Sequence, residues 1–209
     1  MVELVETPEG LTLTDGVMSI RGDFARLLPR LSQQRLNREL IVRAARIKGT
    51  ADLVAVDATA GLGDDSFLLA AAGFRVTMFE RNETIAALLR DAMLRAEEDG
   101  RLSPIVQRMR LECSDSVAAL RSLDCKPDVV FLDPMFPAKS KDAAAKKKLQ
   151  LLQQLEDPCD DEAELLDAAV SAKPKKVVVK RPIKGATLAD MKPSYSLSGK
   201  AIRYDVLVP

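Results

Sequence analysis

The stretch Leu53-Val54-Ala55-Val56-Asp57-Ala58-Thr59-Ala60-Gly61-Leu62-Gly63-Asp64-Asp65 decides the fold. Its first five residues read as a buried parallel strand, and they run into small residues and two glycines before an apolar helical run opens at Ser66. A strand, a tight turn and a helix start thus follow one another directly. Glycine has no Cβ, so at Gly61 and Gly63 the backbone is free to take positive φ and to let a ligand approach closely. In open α/β sheets the crevice beyond the carboxyl ends of the strands receives nucleotide-like ligands. A plain βα connection uses glycines for its turn alone, so the flanking sequence has to decide between the two readings.

Toward the C terminus, Phe67-Leu68-Leu69-Ala70-Ala71-Ala72 reads as a short helix ended by Gly73, and Arg75-Val76-Thr77-Met78-Phe79 as the second strand. That strand ends in Glu80. An acidic residue about 20 positions past the glycines, at a strand tip, is placed to accept hydrogen bonds from both hydroxyls of a ribose. Such a carboxylate has no evident packing reason to sit there. A helix is expected from Glu83 to about Asp99, with Ile85, Leu88, Leu89, Ala92 and Leu94 as its apolar set. The third strand, near Met109 to Glu112, runs into Cys113-Ser114-Asp115-Ser116, side chains suited either to contact an adenine or to cap the next helix.

The fourth strand, Asp128-Val129-Val130-Phe131-Leu132, ends in Asp133-Pro134-Met135-Phe136-Pro137. Two prolines restrict φ around an aromatic residue and hold Phe136 outside regular structure. A carboxylate and a ring in one rigid loop form a clamp for a flat ligand that bears an amino group. Helical stretches over 143–155 and 161–172 lead to the fifth strand, Lys176-Val177-Val178-Val179-Lys180, which stops at Arg181-Pro182. Two strand-like runs between Tyr195 and Val208, broken at Ser198-Gly199, read as a closing hairpin. Alternating strands and helices with a terminal β pair imply an α/β fold, a doubly wound and mostly parallel sheet with an antiparallel C-terminal edge.

Toward the N terminus, Ser32 to Lys48 has helical periodicity, with Leu36, Leu40, Ala44 and Ile47 on one face, Arg35, Arg38, Arg43 and Arg46 mostly elsewhere, and Gly49 as its stop. Residues 1–30 differ from the rest. Asp15-Gly16 between alternating residues signals a tight hairpin, so a small β cap over 1–30 is expected ahead of a main domain over 31–209.

Composition narrows the chemistry. The 209 residues are 47% hydrophobic and 30% charged, the balance of a soluble globular chain, and no run approaches the ~20 apolar residues of a membrane span. The acidic start Met1-Val2-Glu3-Leu4-Val5-Glu6 does not read as a signal peptide, and a cytoplasmic location is expected. Cys113, Cys125 and Cys159 are widely spaced and odd in number, which suits reduced structural thiols and neither a disulfide framework nor a zinc pattern. Histidine is absent, so triads and metal sites built on imidazole are excluded, and no metal is expected. With a formal net charge of zero, contact with nucleic acid would rest on local patches. Two exist: Lys139, Lys141, Lys146, Lys147 and Lys148, and then Lys173, Lys175, Lys176, Lys180, Arg181 and Lys184. A solvated charged face accounts for each equally well.

The motifs DATAGLG, Phe79-Glu80-Arg81-Asn82, LDPMFP and VVVKRP, in this order and spacing, resemble the bacterial family of small-subunit ribosomal RNA guanine methyltransferases that modify the 2-amino group of guanosine 1516 in 16S rRNA. The resemblance runs from about Gly49 to the C terminus. It implies a Rossmann-like class I methyltransferase domain, S-adenosylmethionine as methyl donor, and 16S rRNA or the small ribosomal subunit as partner. With Asp57, Gly61 and Gly63 of the first strand and turn, the donor-binding residues it implies are Asp64, Asp65, Glu80, Arg81, Asp115, Ser116 and Asp133. Where the family usually has a basic residue after LG, this chain has Asp64, so backbone contact is expected there. The N-terminal region is also short.

Together these readings make Asp133, Pro134 and Phe136 the catalytic set. Asp133 and the Pro134 carbonyl would accept from the guanine amino group, and Phe136 would stack on the base. Lys139, Lys141, Lys147, Lys180 and Arg181 would meet RNA phosphates. An NAD-dependent oxidoreductase shares the fold, but Ser66 stands where the third glycine of GxGxxG belongs. Methylation of an adenine 6-amino group or a protein amide, and a non-catalytic RNA-binding or ribosome-assembly module, are the other readings.

Overall fold

The computed structural model describes residues 2–134, 151 and 162–209. Two sheets organise them. The first is antiparallel, in the order β1 (Glu3–Thr7), β2 (Gly10–Thr14), β3 (Ser19–Ile20). Its second turn is the Asp15-Gly16 hairpin: Asp15 Oδ1 accepts from the amides of Val17 and Met18 at 2.9 and 2.7 Å, and Gly16 takes φ 87°. β1 is an additional strand that the alternation around Asp15-Gly16 does not announce.

The second sheet has seven strands in the order β6-β5-β4-β7-β8-β10-β9. These are β4 (Val54–Asp57), β5 (Arg75–Phe79), β6 (Met109–Glu112), β7 (Val129–Leu132), β8 (Lys176–Pro182), β9 (Tyr195–Ser198) and β10 (Ile202–Leu207). β4 to β8 pair in parallel, and β10 runs antiparallel between β8 and β9. From β4 the chain first adds strands on one side and then, from β7 onward, on the other. A crevice therefore opens between the carboxyl ends of β4 and β7, the usual ligand position in doubly wound sheets. Every residue of β7 is buried, as a parallel strand covered on both faces requires. Alternation sends Ala55, Val129, Phe131 and Val178 to one core and Val56, Val130, Leu132, Val177 and Val179 to the other.

The helices depart from the sequence expectations in three places. The single helix expected over Ser32 to Lys48 is two short ones, α1 (Gln33–Leu36) and α2 (Leu40–Ala45). Glu39 between them is extended at ψ 128°, its carboxylate held by Arg30 Nε and Nη2 at 2.8 and 2.6 Å. α2 ends at Ala45, ahead of Gly49, because Arg46 is extended and donates to Asn37 Oδ1 at 2.5 Å. The next helix, α3 (Asp64–Ala71), starts at Asp64 and not Ser66, since Gly63 at φ 78° closes the turn as its N-cap. In α4 (Glu83–Glu97), Asn82 Oδ1 accepts from the amides of Thr84 and Ile85 and caps the helix. Leu94 of its expected apolar set is 58% exposed, and Ala96 is buried. Nine residues past Ile85 at ~100° each bring Leu94 to the opposite side of the helix.

Three further helices, α5 (Ser103–Val106), α6 (Ser116–Arg121) and α7 (Glu162–Ser171), complete the described set. Of the helix expected over 143–155, all but Leu151 lies outside the described residues. The N-terminal sheet is seated on α4: Leu11 N donates to Asp91 Oδ2 at 3.1 Å, and Arg95 Nη2 to the Gly22 carbonyl at 2.6 Å. Phe24, just before a 3-10 turn (Ala25–Arg30), stacks on Phe67 of α3 with centroids 4.6 Å apart. Cys113 and Cys125 are free thiols but exposed, which corrects the expectation of structural packing; Cys159 lies outside the described residues.

Candidate active site

Four parallel strands end side by side, and backbone hydrogen bonds keep them aligned beyond the sheet. Ala58 N donates to Phe131 O at 3.0 Å, Ala60 N to Phe79 O at 3.1 Å, Glu80 N to Glu112 O at 3.2 Å and Ser114 N to Glu80 O at 3.1 Å. The residues that follow β4, β5, β6 and β7 are thereby drawn into one ledge. Gly61 and Gly63 both have positive φ, 53° and 78°. A Cβ on Gly63 would lie 2.6 Å from Leu89 Cδ1, whereas one on Gly61 would meet nothing within 4 Å. Gly63 is a packing glycine, and Gly61 borders open space.

Glu80 is 5% exposed, with Oε2 accepting from Gly61 N and Oε1 from Asn82 N, both at 2.9 Å. Burial raises its pKa, and these two amides pull against it. This carboxylate does have a packing reason to sit at the strand end, contrary to the sequence expectation: it ties the glycine turn to the start of α4. Arg81 beside it is exposed. Asp57 is buried more completely. Its Oδ1 accepts from Thr59 N at 3.0 Å and its Oδ2 from Ser66 Oγ at 2.6 Å, and burial drives its pKa up to about 7 despite both bonds. Asp57, expected among the donor contacts, is placed as an internal brace between β4 and α3.

At the first turn of α3, Asp64 pairs with Arg26. Burial raises the Asp64 pKa, and Arg26 pulls it back. Asp115 caps α6 by accepting from Ala118 N at 2.9 Å, and Ser116 opens that helix, so the capping alternative is realised there. Ser114 Oγ is buried and has no hydrogen-bond partner among the described residues.

Asp133 leaves β7 with its amide donating to Thr59 Oγ1 at 2.6 Å, and Pro134 is buried behind it. Asp133 Oδ2 lies 2.8 Å from Lys180 Nζ, which lies 2.7 Å from Asp65 Oδ2; Tyr204 OH donates to Asp65 Oδ1 at 3.2 Å. Burial raises the Asp133 pKa, with Lys180 opposing the rise. Burial also works against the Lys180 charge, yet the Asp65 and Asp133 carboxylates hold its pKa well above the usual value.

Phosphate contacts at Lys180 and Arg181, expected from the sequence, would compete with internal partners. Arg181, on the opposite face of β8, is 3% exposed and donates to Ala186 O at 2.8 Å and Thr187 O at 3.5 Å, with Glu162 at 3.3 Å. The rest of that lysine cluster is partly structural: Lys176 Nζ donates to Ala44 O and Arg46 O, and Lys175 pairs with Asp128. Phe136, Lys139, Lys141 and Lys147 lie outside the described residues. Thr59 and Tyr204 are site residues that sequence reasoning missed. Lys180 carried a usable signal: it shares a strand face with buried Val178, and a lysine on such a face needs carboxylates. Among the described residues, no group of His, Cys, Asp or Glu is arranged to hold a metal ion, and no helix is long and apolar enough to cross a membrane.

A strand-end glycine turn bordering open space, a carboxylate at the next strand end and a fixed Asp-Pro at the strand beyond suit a site that holds one ligand and presents an amino group to it. Known proteins are similar to this chain over most of its length. A family described as putative SAM-dependent methyltransferase matches residues 3–209. Ribosomal RNA small subunit methyltransferase J of Chromobacterium violaceum is 50% identical over 172 residues, covering 80% of this chain and 67% of that protein. Its namesake in Thioalkalivibrio sulfidiphilus is 41% identical over 202 residues, covering 95% and 79%. A crystal structure of a SAM-dependent methyltransferase from Neisseria gonorrhoeae superposes with a TM-score of 0.80 at 32% identity, covering 100% of this chain and 83% of that one.

Proposed function

The chain belongs to the SAM-dependent methyltransferase family that includes the ribosomal RNA small subunit methyltransferases J, and from that premise we propose that it transfers a methyl group from S-adenosylmethionine to the 2-amino group of guanosine 1516 in 16S rRNA. The observation that carries this reading is Asp133, fixed by Thr59 and Lys180 at the end of β7, across the crevice from the Gly61 turn.

The residues present fit the donor. Gly61 leaves room where a Cβ would stand, and the unpartnered Ser114 Oγ lies next to the Glu80 strand end, where a polar ligand edge would satisfy it. We assign the Gly61-Gly63 backbone to the amino-acid part of the donor. Glu80 is assigned to the ribose: each of its oxygens accepts one backbone amide, and an ionised carboxylate has lone pairs left for hydroxyl donors. Ser114, Asp115 and Ser116 border the adenine in this reading, Arg81 stands beside Glu80, and Asp64 and Asp65, which follow the glycines, are assigned to the amino-acid end of the donor. S-adenosylmethionine supplies a methyl group on a sulfonium sulfur, which keeps the C–S bonding pair as the nitrogen takes the carbon.

On the acceptor side, Lys180 occupies Asp133 Oδ2, and Oδ1 with the Pro134 carbonyl is assigned to the guanine N–H groups. Asp133 must be ionised to accept. The nitrogen becomes acidic as it is alkylated, so its proton passes to Asp133 or to water without an imidazole base. Orientation is the main demand, and correct placement of reactants supplies ~7–11 kcal/mol of a barrier. Phe136 is proposed to stack on the base, and Lys139, Lys141 and Lys147 to meet phosphates.

Replacing Asp133 with Ala tests this assignment. Single-turnover transfer should fall by about 100-fold or more, while calorimetry still detects donor binding, weakened. Transfer at the unaltered rate by Asp133→Ala would contradict the proposed role.

A further inference from the structure

Lys180 sits where three strands and a helix meet. Parallel pairing sets Leu132 of β7 opposite Val179 of β8, so Asp133 and Lys180, one position on, emerge side by side. Antiparallel pairing sets Tyr204 of β10 opposite Lys180. Asp133, Lys180 and Tyr204 thus form one row across the sheet, and Asp65 of α3 closes over it, bonded to both Lys180 and Tyr204. The side chains of Lys180 and Asp65 are 25% and 18% exposed, that of Asp133 35%. Tyr204, 3% exposed, is the innermost member of the row, Lys180 is the middle one, and Asp133 is the one that reaches furthest toward solvent.

We propose that Lys180 is a positioning residue for methyl transfer: held by Asp65, it fixes the Asp133 carboxylate in the one orientation and the ionised form that accept the guanine amino group. This rests on the role of Asp133 proposed above. An ammonium with two carboxylates at hydrogen-bond distance has a defined place, and Asp65 has a defined place in turn because Tyr204 OH donates to its other oxygen. Asp133 is therefore restrained from both ends, through its amide by Thr59 and through Oδ2 by Lys180. The charge has a second effect. The groups acting on Asp133 are Lys180 and Arg181 from β8, Asp65 from α3, Asp57 from β4 and Tyr204 from β10. Without Lys180, Asp133 and Asp65 would be like charges in a partly desolvated crevice, and one would take up a proton. A protonated Asp133 donates where the reaction needs an acceptor.

The test compares Lys180→Met, Lys180→Arg and Asp65→Asn with the unaltered protein in single-turnover methylation of 16S RNA at saturating donor, across pH, with RNA affinity measured as a function of salt. Lys180→Met should lower the maximal rate by about 100-fold, the scale of a misplaced reacting group, and move the acid limb of the rate profile to higher pH. RNA affinity and its salt dependence should not change. Lys180→Arg should recover part of the rate. Asp65→Asn, which removes the repelling charge and leaves Lys180 to Asp133, should move the acid limb the opposite way; it tests the claim even if Lys180→Met does not fold, which circular dichroism would show. A normal maximal rate in Lys180→Met, with weaker RNA binding and a salt slope reduced by about 1, would make Lys180 a phosphate contact and overturn the proposal. An acid limb unmoved by Asp65→Asn would overturn it as well. If the unaltered protein transfers no methyl group to 16S RNA, the reading of Asp133 fails and takes this inference with it; if it does and Lys180→Met keeps its rate and acid limb, only the inference fails.

Discussion

Burial raises the pKa of Asp57, Glu80 and Asp133 alike, and their partners separate what each can do. Glu80 is held by two amides, Asp133 by an ammonium, and Asp57 by one amide and one hydroxyl, with no cation on either oxygen among the described residues. Burial pushes the Asp57 carboxyl up to about 7, against 3.8 for the free side chain. The folded state binds that proton more tightly than the unfolded state. Its contribution to stability is complete below about pH 4 and is lost as pH rises toward 7, at about 1.4 kcal/mol per pH unit, a loss on the order of 4 kcal/mol. Asp57→Asn, which imitates the protonated form, should flatten that slope and leave the protein more stable than the parent above pH 7. Urea unfolding midpoints at pH 5 and pH 8 measure this directly, and equal pH dependence in the two proteins would contradict it. Residue roles were only partly readable from sequence at this scale. The pattern located Glu80 and Asp133 by their positions at strand ends, but assigned Lys180 and Arg181 by charge alone. Alternation along β8 sends one to each face, and each is paired inside the protein.

The turn between β4 and α3 shows how an element can serve two purposes with two glycines. Both have left-handed backbone, which costs a non-glycine residue roughly 1–2 kcal/mol. Gly63 carries a further constraint, because a Cβ there would press on Leu89 Cδ1 at 2.6 Å and Phe24 Cζ at 3.3 Å. Gly63→Ala should therefore lose about 1–3 kcal/mol beyond the backbone strain. Gly61→Ala should lose only the strain but weaken donor binding, since its Cβ would point into open space beside the crevice. Denaturant midpoints and calorimetric donor titrations of both variants separate the effects; equal stability losses would refute the division. Sequence reading found this element because glycine spacing and strand composition are local signals. It failed where tertiary contacts decide. The Arg30–Glu39 pair and the extended Arg46 divide the 32–48 segment into two helices, and neither follows from its apolar period.

Across the whole molecule, equal numbers of acidic and basic residues leave no net field to gather RNA, so binding has to come from the arrangement of charges. Several lysines expected to provide it are committed to internal partners, and the 139–148 cluster carries the remaining proposal. The doubly wound sheet, its strand ends and its antiparallel edge followed from composition and period. The seating of the N-terminal sheet on α4 did not, because it depends on Leu11 and Gly22 meeting Asp91 and Arg95 far along the chain. The central claim joins a donor pocket to one amino group of one RNA. Its most direct test is incubation of the protein with methyl-labelled S-adenosylmethionine and small-subunit RNA or subunits from a strain lacking the modification, followed by nuclease digestion and mass spectrometry. Label in a 2-methylguanosine fragment spanning nucleotide 1516 is the predicted result; label at another nucleotide or on another atom, or none despite donor binding by calorimetry, would contradict it.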